Sequence, residues 1–305
     1  MRNDTFKGIL CGVLSAVSFG TNPLFALPLY QRGMNTCNVL LYRFFFAVLL
    51  LGGLILIRRE SFRIGRKHWV PAVFAGLLLA FTCLFMFLSL WFLDAGIAAT
   101  ILFVYPLMVA LIMRVFFQEK LNAATWIGMF LSLGGIAMLY RNDGVGKFSV
   151  TGVVYILLSA LTYAVYMVHV KESQLKTLPP GVLTFYAMAL GLPVFLISLR
   201  GGADLQLPPD LFSWGCVFGL ALCPALLSFV LLAAAVRCIG ATKTAILGAS
   251  EPITSILIGV LIFGEKLNLR QILGIVLILG AVTLAVAVKR KSSGPSEDRP
   301  EPSVD

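Results

Sequence analysis

Charged residues are scarce in this chain. Asp, Glu, Lys and Arg make up 12% of its 305 residues, against about a quarter in soluble proteins. Hydrophobic residues make up 59%, which excludes an ordinary soluble domain and indicates an integral membrane protein. We do not interpret the net charge of +10 as a sign of nucleic-acid binding, because most of the excess lies in short loops beside apolar stretches.

The chain also lacks the patterns of metal, redox and catalytic sites. It has 2 histidines, and its 6 cysteines lie apart in apolar stretches without a Cys-x-x-Cys pair, so we interpret the cysteines as small core residues. Motifs of zinc proteases, serine hydrolases and ATP-binding loops are absent. We therefore expect no cofactor, no metal and no enzyme activity. An intramembrane enzyme would need a catalytic pair of residues at one depth in the membrane. Glu251 and His169 are such a candidate pair, but their positions in their helices place them at different depths.

Long apolar runs dominate what is present. A membrane helix needs about 20 mostly apolar residues to cross a hydrocarbon core of about 30 Å. Arg2 and Lys7 precede the first run as in a signal peptide, but the run is long and contains Pro23 and Pro28, so we expect it to remain as a helix. Ten stretches qualify as membrane helices: 8–30, 36–57, 69–91, 95–117, 123–140, 150–171, 180–199, 211–234, 241–263 and 269–288.

One pattern occurs twice, at a shift of 146 residues. Residues 106–139 and 252–285 share a proline in an apolar run, a Glu-Lys-Leu-Asn turn and two later glycines at equal spacing. A shared Leu-Ser-Ala at 14–16 and 158–160 extends the similarity to the front of each half. The principal matched pairs are Pro106/Pro252, Glu119/Glu265, Lys120/Lys266, Leu121/Leu267, Asn122/Asn268, Gly128/Gly274 and Gly134/Gly280. We interpret the chain as an internal duplication, with repeats at 8–140 and 150–288.

Each repeat contains five predicted helices, and this odd number fixes their relative orientation. Two consecutive odd repeats must lie in opposite orientations in the bilayer. The predicted fold is therefore an all-α integral membrane protein of ten transmembrane helices in two inverted five-helix repeats. Inverted repeats can exchange conformations and expose a midplane site to either side, which is the architecture of a carrier. A receptor or structural role gives no reason for such a duplication.

Lys and Arg in the loops predict the topology, because they concentrate on the cytoplasmic side. With the N-terminus inside, inner segments hold fifteen Lys and Arg and outer loops hold six. We expect both termini in the cytoplasm, with residues 1–7 as the N-terminal segment and residues 289–305 as a disordered tail rich in Pro, Ser and acids. The expected location is the cell membrane, in a bacterium the inner membrane.

The repeated Pro…Glu-Lys-Leu…Gly…Gly pattern, the Glu251-Pro252 pair and Leu41-Tyr42-Arg43 together resemble the drug/metabolite transporter superfamily, EamA type. The resemblance covers residues 8–288. It implies a ten-helix transporter; such families include exporters of amino acids, purines and drugs, and more distantly nucleotide-sugar and sugar-phosphate antiporters. Glu251 departs from the repeat, because its first-half counterpart is Tyr105.

Two charges inside predicted spans are the first candidates for a site, since each costs about 2.5 to 3.5 kcal/mol near a helix centre. Arg43 either has a structural role, in which it pairs with carbonyls or extends outward to the membrane surface, or lines a cavity where its two-pronged guanidinium suits a carboxylate or phosphate. Glu251 is the proton-coupling candidate, unless a partner such as Arg43 or Lys243 neutralises it or its protonated form donates a hydrogen bond to a neighbouring carbonyl.

Aromatic and amide side chains extend the candidate cavity. Tyr163, Tyr166 and His169 share one helix face. With other tyrosines and a tryptophan they could bind aromatic or cationic ligands, although rings in membrane helices also serve packing and interface roles. The predicted lining, from helices one to four and six to nine, comprises Asn22, Tyr42, Arg43, Trp91, Tyr105, Tyr163, Tyr166, Tyr186 and Glu251.

The repeated residues themselves predict structure. Glu119 and Glu265 lie at helix ends on opposite membrane faces, so we exclude them from the substrate site and expect each to cap a turn or join neighbouring loops. Gly128, Gly134 with Gly135, Gly274 and Gly280 predict close helix packing, with a homodimer contact as one use of it.

We expect a secondary-active exporter of a small organic metabolite, an amino acid or related compound, working by alternating access with proton coupling or facilitated movement. The alternatives are a carrier for organic cations, drugs or sugar derivatives, and more remotely an intramembrane enzyme. The expected partners are a small-molecule substrate, the lipid bilayer and protons as coupling ion, without nucleic acid, in a monomer or homodimer.

Overall fold

The structure is a computed structural model that describes residues 2–118, 123–139, 147–239, 244 and 247–292. Within these residues every regular element is helical. Three apolar helices are shorter than a span: Thr125–Leu139, Ser250–Leu261 and Leu269–Leu284. Among the described residues, 7 helices are long and apolar enough to cross a membrane: Thr5–Gln31, Thr36–Ile57, Arg66–Ser89, Ala95–Phe117, Val150–Glu172, Pro180–Ser198 and Leu211–Val236. The chain is a multi-pass membrane protein, all-helical in the residues described.

Local geometry divides several spans into shorter elements. Two 3₁₀ turns, Gln174–Thr177 and Arg200–Gly202, join helices, and a π-helical turn occupies Leu222–Leu227 around Pro224. The α-helices are α1 (Arg2–Gly20), α2 (Asn22–Gln31), α3 (Thr36–Ile57), α4 (Arg66–Ser89), α5 (Ala95–Leu102), α6 (Tyr105–Phe117), α7 (Ala123–Leu139), α8 (Val150–Glu172), α9 (Pro180–Ser198), α10 (Leu211–Ala221), α11 (Ser228–Ile239), α12 (Ser250–Leu261) and α13 (Leu269–Ser292).

Each of the ten predicted stretches contains a helix, but 7 of these helices are long enough to span a membrane within the described residues. The first predicted stretch is divided at Thr21 into α1 and α2, and the fourth is divided at residues 103–104 into α5 and α6. The last helix continues to Ser292 rather than ending at residue 288. Outside the described residues lie the first Glu-Lys-Leu-Asn turn at 119–122, the connection at 140–146, most of 240–246 and the tail from 293.

The helices pack in pairs that join the two halves of the sequence. α1 packs on α11 and α4 on α8; α3 packs on α9, α5 on α12 and α7 on α13. Gly135 and Gly274 meet at the α7–α13 crossing, where a Cβ built on Gly274 would lie 2.8 Å from the Gly135 carbonyl oxygen. The predicted close approach is confirmed at these two glycines. A Cβ on Gly280 would meet nothing within 4 Å.

Large apolar side chains cover much of the outside of the molecule. Phe116, Phe130, Ile197 and Leu211 are exposed, whereas Phe44, Phe87 and Phe195 are fully buried. Exposed apolar area on this scale is unfavourable in water and indicates contact with lipid. The polar groups that function requires must therefore lie inside the bundle or at its two ends.

Loop contacts define two ends of the bundle. We call the first the Glu265 face. On it the Arg32 guanidinium contacts Asp210 at 3.1 Å, and the Glu265 carboxylate reaches the start of α5. At the opposite face His68 contacts Thr177 at 3.2 Å and Tyr186 donates to the Phe62 carbonyl at 2.6 Å. The Glu265 face consists of loops 32–35, 90–94, 199–210 and 262–268, and the opposite face of loops 58–65 and 173–179.

Candidate functional site

Three helices bend inside the bundle, each just before a proline. The interruptions lie at Thr21 before Pro23, at residues 103–104 before Pro106, and at residues 248–249 before Pro252. Proline has no backbone N–H and its ring crowds the carbonyl four residues earlier, so the helix cannot continue its regular hydrogen bonds there. Backbone polar groups are thereby released within the protein interior, where other donors must reach them.

Side chains satisfy the carbonyls released at the first bend. The Asn22 side-chain amide donates to the Phe19 carbonyl at 2.7 Å, which is the carbonyl that Pro23 leaves without its helical donor. The Ser255 hydroxyl on α12 donates to the Gly20 carbonyl at 3.0 Å. Asn22 is 1% exposed, and its Oδ1 has no hydrogen-bond partner. This predicted site residue thus holds the bend, and its remaining acceptor stays inside the bundle.

The same bend packs directly against the residue pair Glu251-Pro252. A Cβ built on Gly20 would lie 2.6 Å from the Glu251 carbonyl oxygen and 2.7 Å from the Thr254 Cβ. Only glycine permits this approach without movement of the backbone. The first and third bends therefore meet at one place.

Glu251 and three tyrosines form a polar cluster at this place. Glu251 lies in the first turn of α12 and is partly buried. It lies within electrostatic range of Tyr105 and Tyr163. The Tyr105 and Tyr163 rings meet edge to face with centroids 4.7 Å apart, and Tyr166 lies parallel to Tyr163 at 6.0 Å. The structure thus brings together four of the predicted residues, from α6, α8 and α12.

The Glu251 carboxyl group makes no hydrogen bond or ion pair with any described residue. Arg43, one of the two partners considered from the sequence, does not reach it, and Lys243 lies outside the described residues. An acidic group without a fixed partner inside a helix bundle is free to exchange a proton or bind a solute.

Arg43 lies on α3 and is 2% exposed. Its Nε and Nη1 have no hydrogen-bond partner. The guanidinium lies over the Phe87 ring, 5.1 Å from its centroid. Tyr30 and Cys83 are the titratable groups that act on it electrostatically. The predicted alternative in which Arg43 pairs with carbonyls is not observed in the described residues.

Three other predicted residues lie away from Glu251. Tyr42 packs edge to face against Trp214 at 5.7 Å, and its hydroxyl is buried without a partner. Trp91 stacks on Tyr30 at 4.6 Å near the Glu265 face. Tyr186 reaches the opposite face, where its hydroxyl donates to the Phe62 carbonyl.

Sequence reasoning missed two residues next to this site, Tyr30 and Cys83. The Tyr30 hydroxyl donates to the Phe87 carbonyl at 3.0 Å and accepts from Thr36 at 3.3 Å. Cys83 is buried on α4, the helix that packs on α8, which carries Tyr163 and Tyr166. Neither residue is charged or repeated; only the position of Tyr30 two residues after Pro28, in the proline-containing first span, could have drawn attention.

His169 has a separate environment. Its Nε2 lies 2.9 Å from the Pro71 carbonyl oxygen, and its ring packs against Phe74. It lines a largely apolar groove of about 490 Å³ between α4, α6 and α8. The predicted continuation of the Tyr163 and Tyr166 face thus leads toward the outside of the bundle.

Glu265, from the second repeated turn, joins the two halves of the chain. Its carboxylate accepts hydrogen bonds from the backbone N–H groups of Ala95 at 2.7 Å and Gly96 at 3.3 Å, at the start of α5. This confirms the predicted structural role. Burial raises the pKa of Glu265, and the Asp94 carboxylate adds to the rise, whereas the two N–H groups and the Lys147 ammonium oppose it.

Bent helices around a buried polar cluster are the arrangement expected of a solute carrier. The family model described as "EamA-like transporter family" matches the chain twice, over residues 6–141 and 150–287. The chain belongs to this family, and the resemblance inferred from its repeated motif is confirmed.

Curated relatives match the sequence of this chain over most of their length. An uncharacterized transporter of Archaeoglobus fulgidus is 30% identical over 277 residues, covering 90% of this chain and 94% of the relative. The uncharacterized transporter YcbK of Bacillus subtilis is 29% identical, covering 89% and 90%. A Rickettsia bellii protein named S-adenosylmethionine uptake transporter is 24% identical, covering 95% and 98%. One solved crystal structure matches with a TM-score of 0.67 at 19% identity, covering 94% of this chain and 99% of that chain, which shows a shared fold.

Proposed function

We propose that this chain is a secondary transporter that exports amino acids or closely related metabolites by alternating access, using protons bound at Glu251 as the coupling ion. The observation that carries the proposal is the partly buried Glu251 carboxyl group, beside three tyrosines and two helix bends, with no partner among the described residues. A carrier must bind and release its solute and its ion, and a permanently paired acid could do neither.

The proposed architecture is ten transmembrane helices in two inverted repeats, at 8–140 and 150–288. The pairing of helices supports it: the α1–α11 contact has the α8–α4 contact as its counterpart in the other half. The α3–α9, α5–α12 and α7–α13 contacts each join a helix to its own counterpart. The two separate matches of the family model are also in keeping with two repeats.

The proposed topology places both termini in the cytoplasm. With this orientation the cytoplasmic segments hold fifteen Lys and Arg and the external loops hold six, as the preference of these residues for the cytoplasmic side requires. The Glu265 face is then external. The proposed location is the inner membrane of a bacterial cell.

Flux measurements in proteoliposomes test the function. The purified full chain is screened with the twenty standard amino acids, with and without an imposed pH gradient. We expect flux of at least one amino acid and a faster rate with the gradient. Glu251→Gln should abolish the gradient effect, and Glu172→Gln, an exposed acid at the end of α8, should retain it. Absence of amino acid flux would contradict the cargo, and an unchanged gradient effect in Glu251→Gln would contradict the coupling.

A second candidate is uptake of a nucleoside-bearing amino acid. The Rickettsia bellii relative is named for S-adenosylmethionine, and the tyrosine cluster offers ring faces that suit a purine and a sulfonium cation. S-adenosylmethionine, an organic cation and a sugar phosphate therefore complete the panel. Chemical conversion of a solute inside the vesicles would instead favour the remote alternative of an intramembrane enzyme.

A further inference from the structure

Arg43 is a buried cation without an anion. Its side chain is 2% exposed, and Nε and Nη1 have no partner. Tyr30 and Cys83, the titratable groups that act on it, are neutral in their ordinary state, and the Phe87 ring supplies only a weak cation–π contact at 5.1 Å. A buried guanidinium ordinarily requires a carboxylate or a set of hydrogen-bond acceptors, because leaving it unpaired costs several kcal/mol.

The side chain does not reach water at the nearer end of the bundle. Arg43 lies about two helical turns from Thr36 at the start of α3. The stacked rings of Tyr30 and Trp91 lie at the start of α3, where the Trp91 indole donates a hydrogen bond to Thr36 at 3.0 Å. Because Arg43 is 2% exposed, its guanidinium does not extend to the membrane surface, as many cations near helix ends do.

Two charged side chains inside the bundle lack a counter-charge among the described residues. Arg43 on α3 has no partner at Nε and Nη1, and the Glu251 carboxyl group on α12 makes no ion pair. A zwitterionic solute carries a carboxylate as well as an ammonium, and its carboxylate is the counter-charge that Arg43 lacks.

We propose that Arg43 binds the carboxylate of the transported solute, with its two-pronged guanidinium facing the two carboxylate oxygens. This inference rests on the proposed function and adds that the cargo carries a carboxylate. The solute supplies the anion that the protein itself does not provide, so Arg43 acts as a specificity-determining residue.

The test compares each amino acid with its carboxamide, which keeps the side chain and amine but lacks the negative charge. Binding is measured as the ligand-dependent shift in thermal midpoint of the purified full chain, and flux is measured in proteoliposomes. In the unmodified chain we expect the amide to bind about 10- to 100-fold more weakly, the range for losing hydrogen bonds between charged groups. Arg43→Gln should remove this discrimination and Arg43→Lys should keep part of it. Arg114→Gln, an exposed arginine in the last turn of α6, is the matched control and should keep all of it.

The outcomes separate this inference from the function. Equal binding of acid and amide by the unmodified chain would overturn the inference even if Arg43→Gln failed to fold. Full discrimination in a folded Arg43→Gln would also overturn it. If no amino acid binds, benzoate and benzamide replace the pair: stabilisation by benzoate through Arg43 without amino acid flux would refute the proposed function and support the inference. A lack of stabilisation by any carboxylate would refute the inference.

Discussion

The bend in the first span leads to a quantitative prediction about the stability of the folded protein. Pro23 removes the backbone donor that would bond the Phe19 carbonyl, and the Asn22 side chain supplies a substitute donor at 2.7 Å. If this account is correct, Asn22 matters only while residue 23 is proline. Replacement of Pro23 by alanine returns a backbone N–H to the carbonyl four residues earlier.

The magnitude follows from the cost of an unsatisfied buried carbonyl. Asn22→Leu keeps the number and branching of the side-chain heavy atoms but removes the donor, leaving an unsatisfied carbonyl at a position where Asn22 is 1% exposed. Such losses cost about 1 to 3 kcal/mol in soluble proteins and about 0.6 kcal/mol on average within membrane helices. We therefore expect Asn22→Leu to lower the free energy of unfolding by about 1 kcal/mol. In the Pro23→Ala background the same change should cost little.

The assay is a double-mutant cycle on the purified chain, with the free energy of unfolding taken from SDS titration in mixed micelles. The expected coupling between the two substitutions is about 1 kcal/mol, above the roughly 0.3 to 0.5 kcal/mol by which independent sites deviate from additivity. An equal cost of Asn22→Leu in both backgrounds would refute the reasoning, because the amide would then stabilise something other than the released carbonyl.

Two further predictions concern packing and pH. Gly274→Ala should lower the free energy of unfolding by about 1 to 3 kcal/mol, because its Cβ would meet the Gly135 carbonyl oxygen at 2.8 Å. Gly280→Ala on the same helix is the control and should be neutral or stabilising. Equal effects of the two substitutions in SDS titration would contradict the close crossing of α7 and α13. The raised pKa of Glu265 means that the folded state binds this proton more tightly than the unfolded state, so the stabilisation is fully present below the ordinary pKa of Glu and is lost as pH rises through the raised value. The thermal midpoint of the unmodified chain relative to Glu265→Gln should therefore fall as the pH rises above the ordinary pKa of Glu, about 4.3, and a rise instead would show that the two backbone hydrogen bonds outweigh burial.

Helix positions were predictable because the signal is local. An apolar run of about 20 residues identifies a membrane helix without knowledge of its neighbours. The bend at Thr21 was not predicted, although Pro23 marked the place. A proline leaves a carbonyl without its helical donor, but whether the helix bends there depends on which other groups donate to the exposed carbonyls. One donor at this bend is the Ser255 hydroxyl, which lies far away in the sequence.

The site was predictable to the extent that charge and repetition marked it. Glu251 and Tyr105 were selected as the positions where the two halves differ, and the structure places them close together. Tyr30 and Cys83 are neither charged nor repeated, and their proximity to Arg43 depends on the packing of α2, α3 and α4. That the candidate residues bind a solute stays a prediction.

The Glu265 contact showed a similar limit. Its role in joining loops followed from its place at a helix end, and the hydrogen bonds to Ala95 and Gly96 confirm that role. Its partner could not be named in advance, because the start of α5 lies in the other half of the chain and no pairing rule connects the two.

Alternating access is the central claim, and cross-linking at the Glu265 face tests it most directly. Ala95→Cys with Glu265→Cys, in a chain whose native cysteines are replaced, is treated with a short cleavable dithiol-reactive cross-linker in proteoliposomes. We predict that amino acid flux falls to the level of empty vesicles and returns after cleavage, while each single-cysteine chain treated alike remains active. Undiminished flux through the fully cross-linked protein would contradict the claim, because the Glu265 face would then not need to open for transport.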